Sequence, residues 1–242
     1  LTSVVGDGAE HSILILSGHL RRPGRGFHLR RCPPALRTIP NLCAPGLSSL
    51  IGELSSGIVL FLFNLILLRL TGNTGVAAYG IVANLALVAI AIYQGLSTGM
   101  QPLVSHSSGT NDRAALRRLY RYGIVTALCI ATLLYVLVFA FADPIAMAFN
   151  STGDPVLQGY AVPGLRIYFL GFWCAGLNLT TAAFFSASGR AGMGFAISLL
   201  RGVAAVPPLL LALSALFGVT GVWITFPAVE TVTAILTLVC VC

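Results

Sequence analysis

Two glutamates lie inside otherwise apolar stretches of this chain, and their chemistry calls for an explanation. Glu53 stands in "GLSSLIGELSSGIVLFLFN" and Glu230 in "FPAVETVTAILT". An ionisable side chain near the middle of a bilayer costs about 2.5–3.5 kcal/mol on insertion scales, so it usually faces a cavity or a protein partner. Such a carboxyl can exchange a proton or a cation, as an ion-coupled carrier requires. Alternatively, it accepts hydrogen bonds from neighbouring helices and fastens them together.

Polar residues follow Glu53 along one face of the helix that this stretch predicts. Ser49, Glu53, Leu60 and Asn64 share that face, and Asn64 lies about 16 Å from Glu53 along the helix axis. The other faces carry Leu, Ile, Val and Phe. We therefore expect the polar face to contact protein or a water-filled cavity rather than lipid.

Later stretches repeat this pattern. Similar polar faces are formed by Gln94, Ser97, Gln101 and Ser105, and by Trp223, Pro227, Glu230, Thr233 and Thr237, while another stretch offers Asn178 and Thr181. The predicted coupling-ion or substrate-binding residues are Glu53, Asn64, Gln101, Asn178 and Glu230.

The segment "GLSTG" at 95–99 matches the G-x-S-x-G motif of serine hydrolases, but its setting argues against catalysis. That motif needs a strand–turn–helix elbow and a histidine base. Here it falls in an apolar helical stretch, and the four histidines lie outside the spans. Its glycines predict close helix packing instead. We expect no enzyme, no catalytic residue, no metal site and no cofactor.

The composition predicts the elements that must position these residues. Of the 242 residues, 57% are hydrophobic and 9% are charged, whereas soluble domains carry about 25% charged residues. The chain is therefore expected to be an all-α integral membrane protein. Six stretches are long enough to span a bilayer: 46–69, 77–104, 119–142, 160–187, 195–217 and 219–241. Turn-forming residues separate them at 71–75, 105–113, 143–144 with 150–155, 188–192 and 218.

The arginines predict the orientation of these spans. All fourteen basic residues are arginine, and the net charge is +7. Six precede residue 40, and most of the others fall in alternate loops or close to them, at Arg113, Arg117, Arg118, Arg121, Arg190 and Arg201. The positive-inside rule places these loops and the C-terminus in the cytoplasm, at a plasma or inner membrane. This distribution fits contact with membrane lipid and does not indicate nucleic-acid binding.

Several segments together resemble the multidrug and toxic compound extrusion (MATE) family, in its MepA-like branch. They are "GLSSLIGELSSGIVLFLFN", "GNTGVAAYGIVANLALVAIAIYQGLSTGMQPLVSHSSG", "LRIYFLGF", "SLLRG" and "FGVTGVWITFPAVE". The resemblance implies twelve membrane helices in two six-helix lobes. By this resemblance, residues 45–242 form the C-terminal lobe. Residues 1–44 hold the tail of a preceding helix and an arginine-rich cytoplasmic linker. Because the chain begins on Leu1, we expect it to be a fragment whose partner is the missing N-terminal lobe.

The resemblance also implies a function. Members of the family are secondary antiporters that expel organic, often cationic, compounds by alternating access in exchange for H⁺ or Na⁺. Glu53 matches the acid of the seventh helix, and Glu230 matches the acid of the P-x-x-E stretch in the twelfth. Gln101 and Pro102 match the "QP" at the end of the eighth helix. Na⁺-coupled branches carry an acid in the tenth helix, but residues 160–187 contain none, so H⁺ coupling is favoured.

Two alternatives remain open. The first is a lipid-linked oligosaccharide flippase of the same superfamily, which would need basic residues in its cavity, whereas Arg69, Arg166 and Arg201 are predicted near helix ends. The second is an inactive single-lobe fragment. Five aromatic residues are candidates either for walls of a substrate cavity or for ordinary packing: Phe61, Tyr79, Phe172, Trp173 and Phe184.

Overall fold

A computed structural model of the chain describes residues 39–151 and 153–241, with side chains described for 57–151, 153–202 and 204–239. Of the two compact units of the chain, the one described below is Leu47–Cys242. Over the described residues the elements are helices and turns. The α-helices are α1 Ile39–Gly109, α2 Arg113–Phe149, α3 Pro155–Tyr168, α4 Phe172–Ala187, α5 Ala191–Leu199 and α6 Val206–Val241. A 3₁₀ turn, Phe169–Gly171, joins α3 to α4, and a π-helical turn, Leu200–Ala204, follows α5.

Single glycines divide the two longest helices. Gly72 in α1 has φ 69° and Gly218 in α6 has φ 58°, and this left-handed region favours glycine because it has no Cβ. Each glycine therefore ends one helical limb and begins the next. Four described segments are long and apolar enough to cross a membrane, and dividing two of them gives six limbs. They correspond to the six predicted spans, and the predicted breaks at 71–75 and at 218 are confirmed.

The connections between the other helices follow from capping chemistry. The Asp112 side chain caps α2 by accepting a hydrogen bond from the Ala115 amide at 2.9 Å. Asp154 caps α3 in the same way through the Val156 amide at 2.8 Å, and Pro155 follows at the first helical position. A capping carboxylate also interacts favourably with the positive end of the helix dipole. These caps lie in the predicted loops 105–113 and 150–155.

One predicted span ends too early. The sequence predicts an end at residue 142, before Asp143 and Pro144, but α2 continues to Phe149. Proline blocks the regular hydrogen bond to the residue four positions earlier. The resulting irregularity in the helix lies at Phe141, whose backbone φ of −108° and ψ of 18° are not helical. The proline therefore bends the helix here without ending it.

The core of the lobe forms around α4. Phe172, Ala175 and Gly176 of this helix are buried, and α4 contacts α2, α5 and α6. Tyr93 of α1 stacks on Phe172 with ring centroids 6.2 Å apart and approaches Gly176 closely enough to exclude a side chain there. In contrast, many large apolar side chains point outward, including Phe61, Leu216 and Val239. Exposed apolar surface of this extent is typical of a protein whose sides contact lipid.

One packing prediction requires correction, and the structure decides between the two alternatives left open for the aromatic residues. Gly95 and Gly99 do not form a close helix contact within the described residues, because both are exposed and a Cβ at either position would meet open space.

Tyr79 and Phe172 belong to the buried core and not to a cavity wall. Trp173 donates from Nε1 to Thr132 Oγ1 at 3.1 Å, and Phe61 is 64% exposed. Of the five aromatic candidates, Phe184 lines the cavity described below.

Candidate functional site

The structure shows direct contact for one pair among the five predicted site residues. Glu53 lies in the helical backbone of α1, but its side chain is outside the described residues. Asn64 donates a hydrogen bond from Nδ2 to its own helix, at Leu60 O, over 3.0 Å. Gln101 is exposed near the end of α1. Asn178 and Glu230, however, are brought into direct contact. Whether any of the five binds a coupling ion or substrate stays a prediction.

Glu230 lies on the buried face of α6. Its relative exposure is 1%, and Trp223, Thr233 and Thr237 on the same face are also buried. The polar face predicted from the sequence therefore packs against other helices of the lobe. A buried carboxylate is stable only if it is paired and its oxygens accept hydrogen bonds, so its partners determine what it can do.

Asn178 provides the partner from α4. Its Nδ2 donates to Glu230 Oε2 at 2.8 Å and to the Glu230 backbone carbonyl at 2.9 Å. The amide thereby links α4 to both the side chain and the main chain of α6. Its Oδ1 is buried and has no hydrogen-bond partner among the described residues.

Arg201 provides the countercharge, and this contact differs from the sequence-based expectation. Its Nε donates to Glu230 Oε1 at 3.0 Å, and Nη2 donates to the same oxygen. Arg201 was predicted near a helix end, as one of the orienting cytoplasmic charges. Instead, its side chain is only 17% exposed and forms an ion pair with a glutamate side chain that is 2% exposed.

The local sequence explains why Arg201 sits in a π-helical turn. In "LLRGVAAVPP", Pro207 and Pro208 lack the amide hydrogens that would continue a regular helix. The chain widens before them, and the Ala205 amide donates to Leu200 O at 3.0 Å, five residues back. A new α-helix, α6, then begins at Val206, where prolines are tolerated in the first turn. Single π turns of this kind are frequent at functional sites.

Together, Glu230, Arg201 and Asn178 form a buried network that joins α4, the π turn and α6. The negative charge of Glu230 is compensated by Arg201, and both carboxylate oxygens are occupied. Tyr168 of α3 is close enough to interact electrostatically with both charged residues. In this arrangement Glu230 holds helices in register, and an incoming cation would have to compete with Arg201 for it.

One feature of the sequence is consistent with this pairing. Arg201 and Glu230 are opposite charges in two consecutive predicted spans, and opposite charges in neighbouring membrane helices tend to pair. No group of three histidine, cysteine or acidic residues in the described parts of the chain could hold a metal ion.

Comparison with known proteins gives a consistent set of relatives. A model of the MatE family matches residues 49–211. The multidrug export protein MepA of Staphylococcus saprophyticus is 27% identical over 180 residues, covering 74% of this chain and 38% of that protein. MepA of Staphylococcus haemolyticus is 25% identical over 210 residues, covering 87% of this chain and 45% of that protein. The chain thus spans less than half the length of these relatives.

Solved structures show the same fold. An outward-facing multidrug resistance MATE family transporter of the MOP superfamily superposes with a TM-score of 0.84 at 20% identity, covering 98% of this chain and 53% of that one. A MOP superfamily transporter from Pyrococcus furiosus superposes with a TM-score of 0.82 at 20% identity, covering 94% of this chain and 51% of that one. The six apolar limbs around a buried core are therefore a multi-pass membrane fold. Since the family model matches well over half of the chain, this protein belongs to the MatE family.

Proposed function

We propose that the intact protein containing this chain is a secondary antiporter that exports organic, often cationic, compounds in exchange for H⁺ by alternating access. This chain would supply one six-helix lobe, formed by residues 45–242. Residues 1–44 would precede the lobe as a linker at the cytoplasmic face, and a second lobe would complete the substrate pathway. Family membership and the coverage of less than half of the MepA proteins support this division.

The observation that carries the coupling proposal is the occupied state of Glu230. Only Glu53 and Glu230 are acidic among the residues of the six predicted spans. Glu230 is saturated by Arg201 and Asn178, so a proton or cation could use it only by displacing a buried ion pair. Glu53 is therefore the preferred exchangeable carboxyl. A coupling ion drives transport only through different affinities for the inward-facing and outward-facing states.

Two features favour H⁺ over Na⁺ and export over lipid flipping. The segment 160–187 holds no acidic residue that could complete a sodium site with Glu53. Arg201, the least exposed arginine of the described residues, is already paired with Glu230 and not free for a pyrophosphate. The flippase alternative therefore has less support than export.

The test is Glu53→Gln in the intact two-lobe protein, reconstituted in vesicles with an imposed pH gradient. We expect gradient-driven efflux of a fluorescent organic cation to fall to background while membrane insertion stays normal. Asp143→Asn, which removes an exposed acid at the end of a span, is the matched control and should leave efflux unchanged. Normal efflux by the Glu53 variant would refute the coupling role, and efflux driven only by a sodium gradient would refute H⁺ exchange.

A further inference from the structure

A cavity at the arginine-rich end of the lobe has no part in the proposed exchange. It measures about 650 Å³, within the range of small-molecule sites. Its lining combines three basic residues, three short polar residues and three apolar ones: Arg113, Arg117 and Arg190; Ser108, Asn111 and Ser188; Leu116, Phe184 and Phe185. No acidic residue of the described parts of the chain lines it.

The three arginines lie on separate turns and are held there by local structure. Arg113 and Arg117 are one turn apart at the start of α2. Arg190 follows Gly189, whose φ of 85° ends α4, and its amide donates to Phe185 O at 2.9 Å. A glycine in this position and a hydrogen bond back to the fifth residue before are the marks of a Schellman motif. The fold therefore brings two distant parts of the sequence to one rim.

Hydrogen bonds from serine hydroxyl groups connect α1 and α4 beside the cavity. Ser108 donates from Oγ to Ser188 O at 3.2 Å, and Ser105 donates from Oγ to Ala187 O at 3.1 Å. These bonds tie the end of α1 to the end of α4, which carry Ser108 and Ser188 of the cavity lining. The nearby Asp112 carboxylate is used as the cap of α2.

The arginine side chains of the cavity form no ion pair with the described residues. Arg113, Arg117 and Arg190 are all exposed. Guanidinium groups bind phosphate oxygens through paired hydrogen bonds. Three such groups around a concave site without an acid favour an anion with several oxygens, and phosphate is the group that fits.

The apolar side of the cavity identifies the source of that phosphate. The side chains of Leu116, Phe184 and Phe185 offer no hydrogen bonds, as suits the glycerol and upper acyl region of a lipid. Val125, which is 57% exposed, lies about 12 Å further along α2 than Arg117 and marks the lipid-facing surface. The positive-inside rule puts this end at the cytoplasmic interface, where basic pockets between membrane helices bind anionic headgroups.

We propose that the cavity lined by Arg113, Arg117 and Arg190 binds a phosphate ester, supplied by the headgroup of an anionic phospholipid. The experiment uses the purified intact protein in detergent, with native mass spectrometry of bound phosphatidylglycerol and of phosphatidylcholine. Phosphatidylglycerol should bind at least about tenfold more tightly, since each basic residue near a membrane surface contributes to attraction of anionic lipid.

The matched variants are two double substitutions with equal loss of charge. Arg117→Gln with Arg190→Gln should abolish the preference for phosphatidylglycerol. Arg118→Gln with Arg121→Gln, on the same helix but outside this cavity, should change it less than about threefold. Equal losses in both doubles, or no preference in the unmodified protein, would overturn the proposal because diffuse surface charge would then explain the binding.

Soluble glycerol 3-phosphate distinguishes the two sources of the phosphate. If it neither binds by calorimetry nor displaces phosphatidylglycerol, the lipid is the ligand. If it binds on its own, and the Arg117/Arg190 double variant loses that binding, the site is confirmed and a free phosphate ester is its source. Unchanged melting temperatures of both doubles would show that the folds are intact.

Discussion

Arginine occurs in this lobe under two opposite conditions, and the contrast separates two kinds of site. Arg201 is 17% exposed and paired with a buried glutamate. Arg113, Arg117 and Arg190 are exposed around an open cavity without an acid. In a buried ion pair each charge needs the other, because an unpaired buried charge is strongly destabilising. Exposed arginines, in contrast, keep their hydrogen-bonding capacity for a ligand. The same residue type therefore stabilises the fold in one region and is available for binding in the other.

The largest expected effect tests the buried side of this contrast. Arg201→Gln leaves the Glu230 carboxylate buried without its countercharge, and breaking a buried pair in this way costs about 3–5 kcal/mol. The free energy of unfolding of the intact protein, measured by denaturant titration in detergent, should fall by that amount. Adding Glu230→Gln should recover most of the loss, because no charge then remains buried.

The control for that pair is Arg166→Gln. Arg166 and Asp143 form an ion pair at 3.4 Å with side chains 40% and 60% exposed, and exposed pairs contribute about 0–1 kcal/mol. Equal losses for Arg201→Gln and Arg166→Gln would contradict a special role of the buried pair.

A smaller effect tests how tightly the buried region is packed. A Cβ on Gly171 would lie 2.6 Å from Phe226 Cδ1 and 3.0 Å from Pro227 Cα, so Gly171→Ala forces the 3₁₀ turn before α4 away from α6. Overpacking of this kind costs about 1–3 kcal/mol, measurable as a lower melting temperature. Gly99→Ala meets open space and should be neutral or stabilising by up to about 1 kcal/mol, since alanine is the better helix former. An equal change in melting temperature for both variants would contradict the difference in packing between Gly171 and Gly99.

The smallest expected loss of stability concerns Tyr120, which contacts the core helix α4 and a residue of the cavity lining. Tyr120 OH forms a hydrogen bond with Thr181 Oγ1 at 3.0 Å, and its ring packs on Phe184, which lines the cavity. Tyr120→Phe should cost about 1 kcal/mol, the usual net value of one hydrogen bond. Tyr122→Phe, at a side chain 68% exposed, should cost nothing measurable in the same unfolding assay. A loss at Tyr122 as large as that at Tyr120 would rule out this link between the regions.

The division into spans was predictable because it depends on local composition. Apolar runs of the required length and the glycines at 72 and 218 were sufficient to place six limbs. The predicted end of α2 was wrong because the helix bends at Phe141 and continues past Pro144 to Phe149, with Ala142 and Ala146 buried in the core. Local patterns do not show that burial.

The candidate site was only partly predictable. Asn178 and Glu230 were recognised as polar residues in apolar helices, but their contact and the pairing with Arg201 depend on the rotation of three helices. That rotation is affected by the π turn at Leu200–Ala204, which hydrophobic periodicity does not show. The cavity at the arginine-rich end likewise joins residues about eighty positions apart, a distance no sequence motif reports.

The π turn has a consequence for how a change in chain length would affect this lobe. It accommodates one residue more than an α-helical turn. Deleting one residue between Leu200 and Ala204 would allow a regular α-helical turn there. The parts of the helix on either side would then differ in relative rotation by about 100° from those here. The pairing of Arg201 with Glu230 thus depends on the number of residues in this turn, and not on the two charged side chains alone.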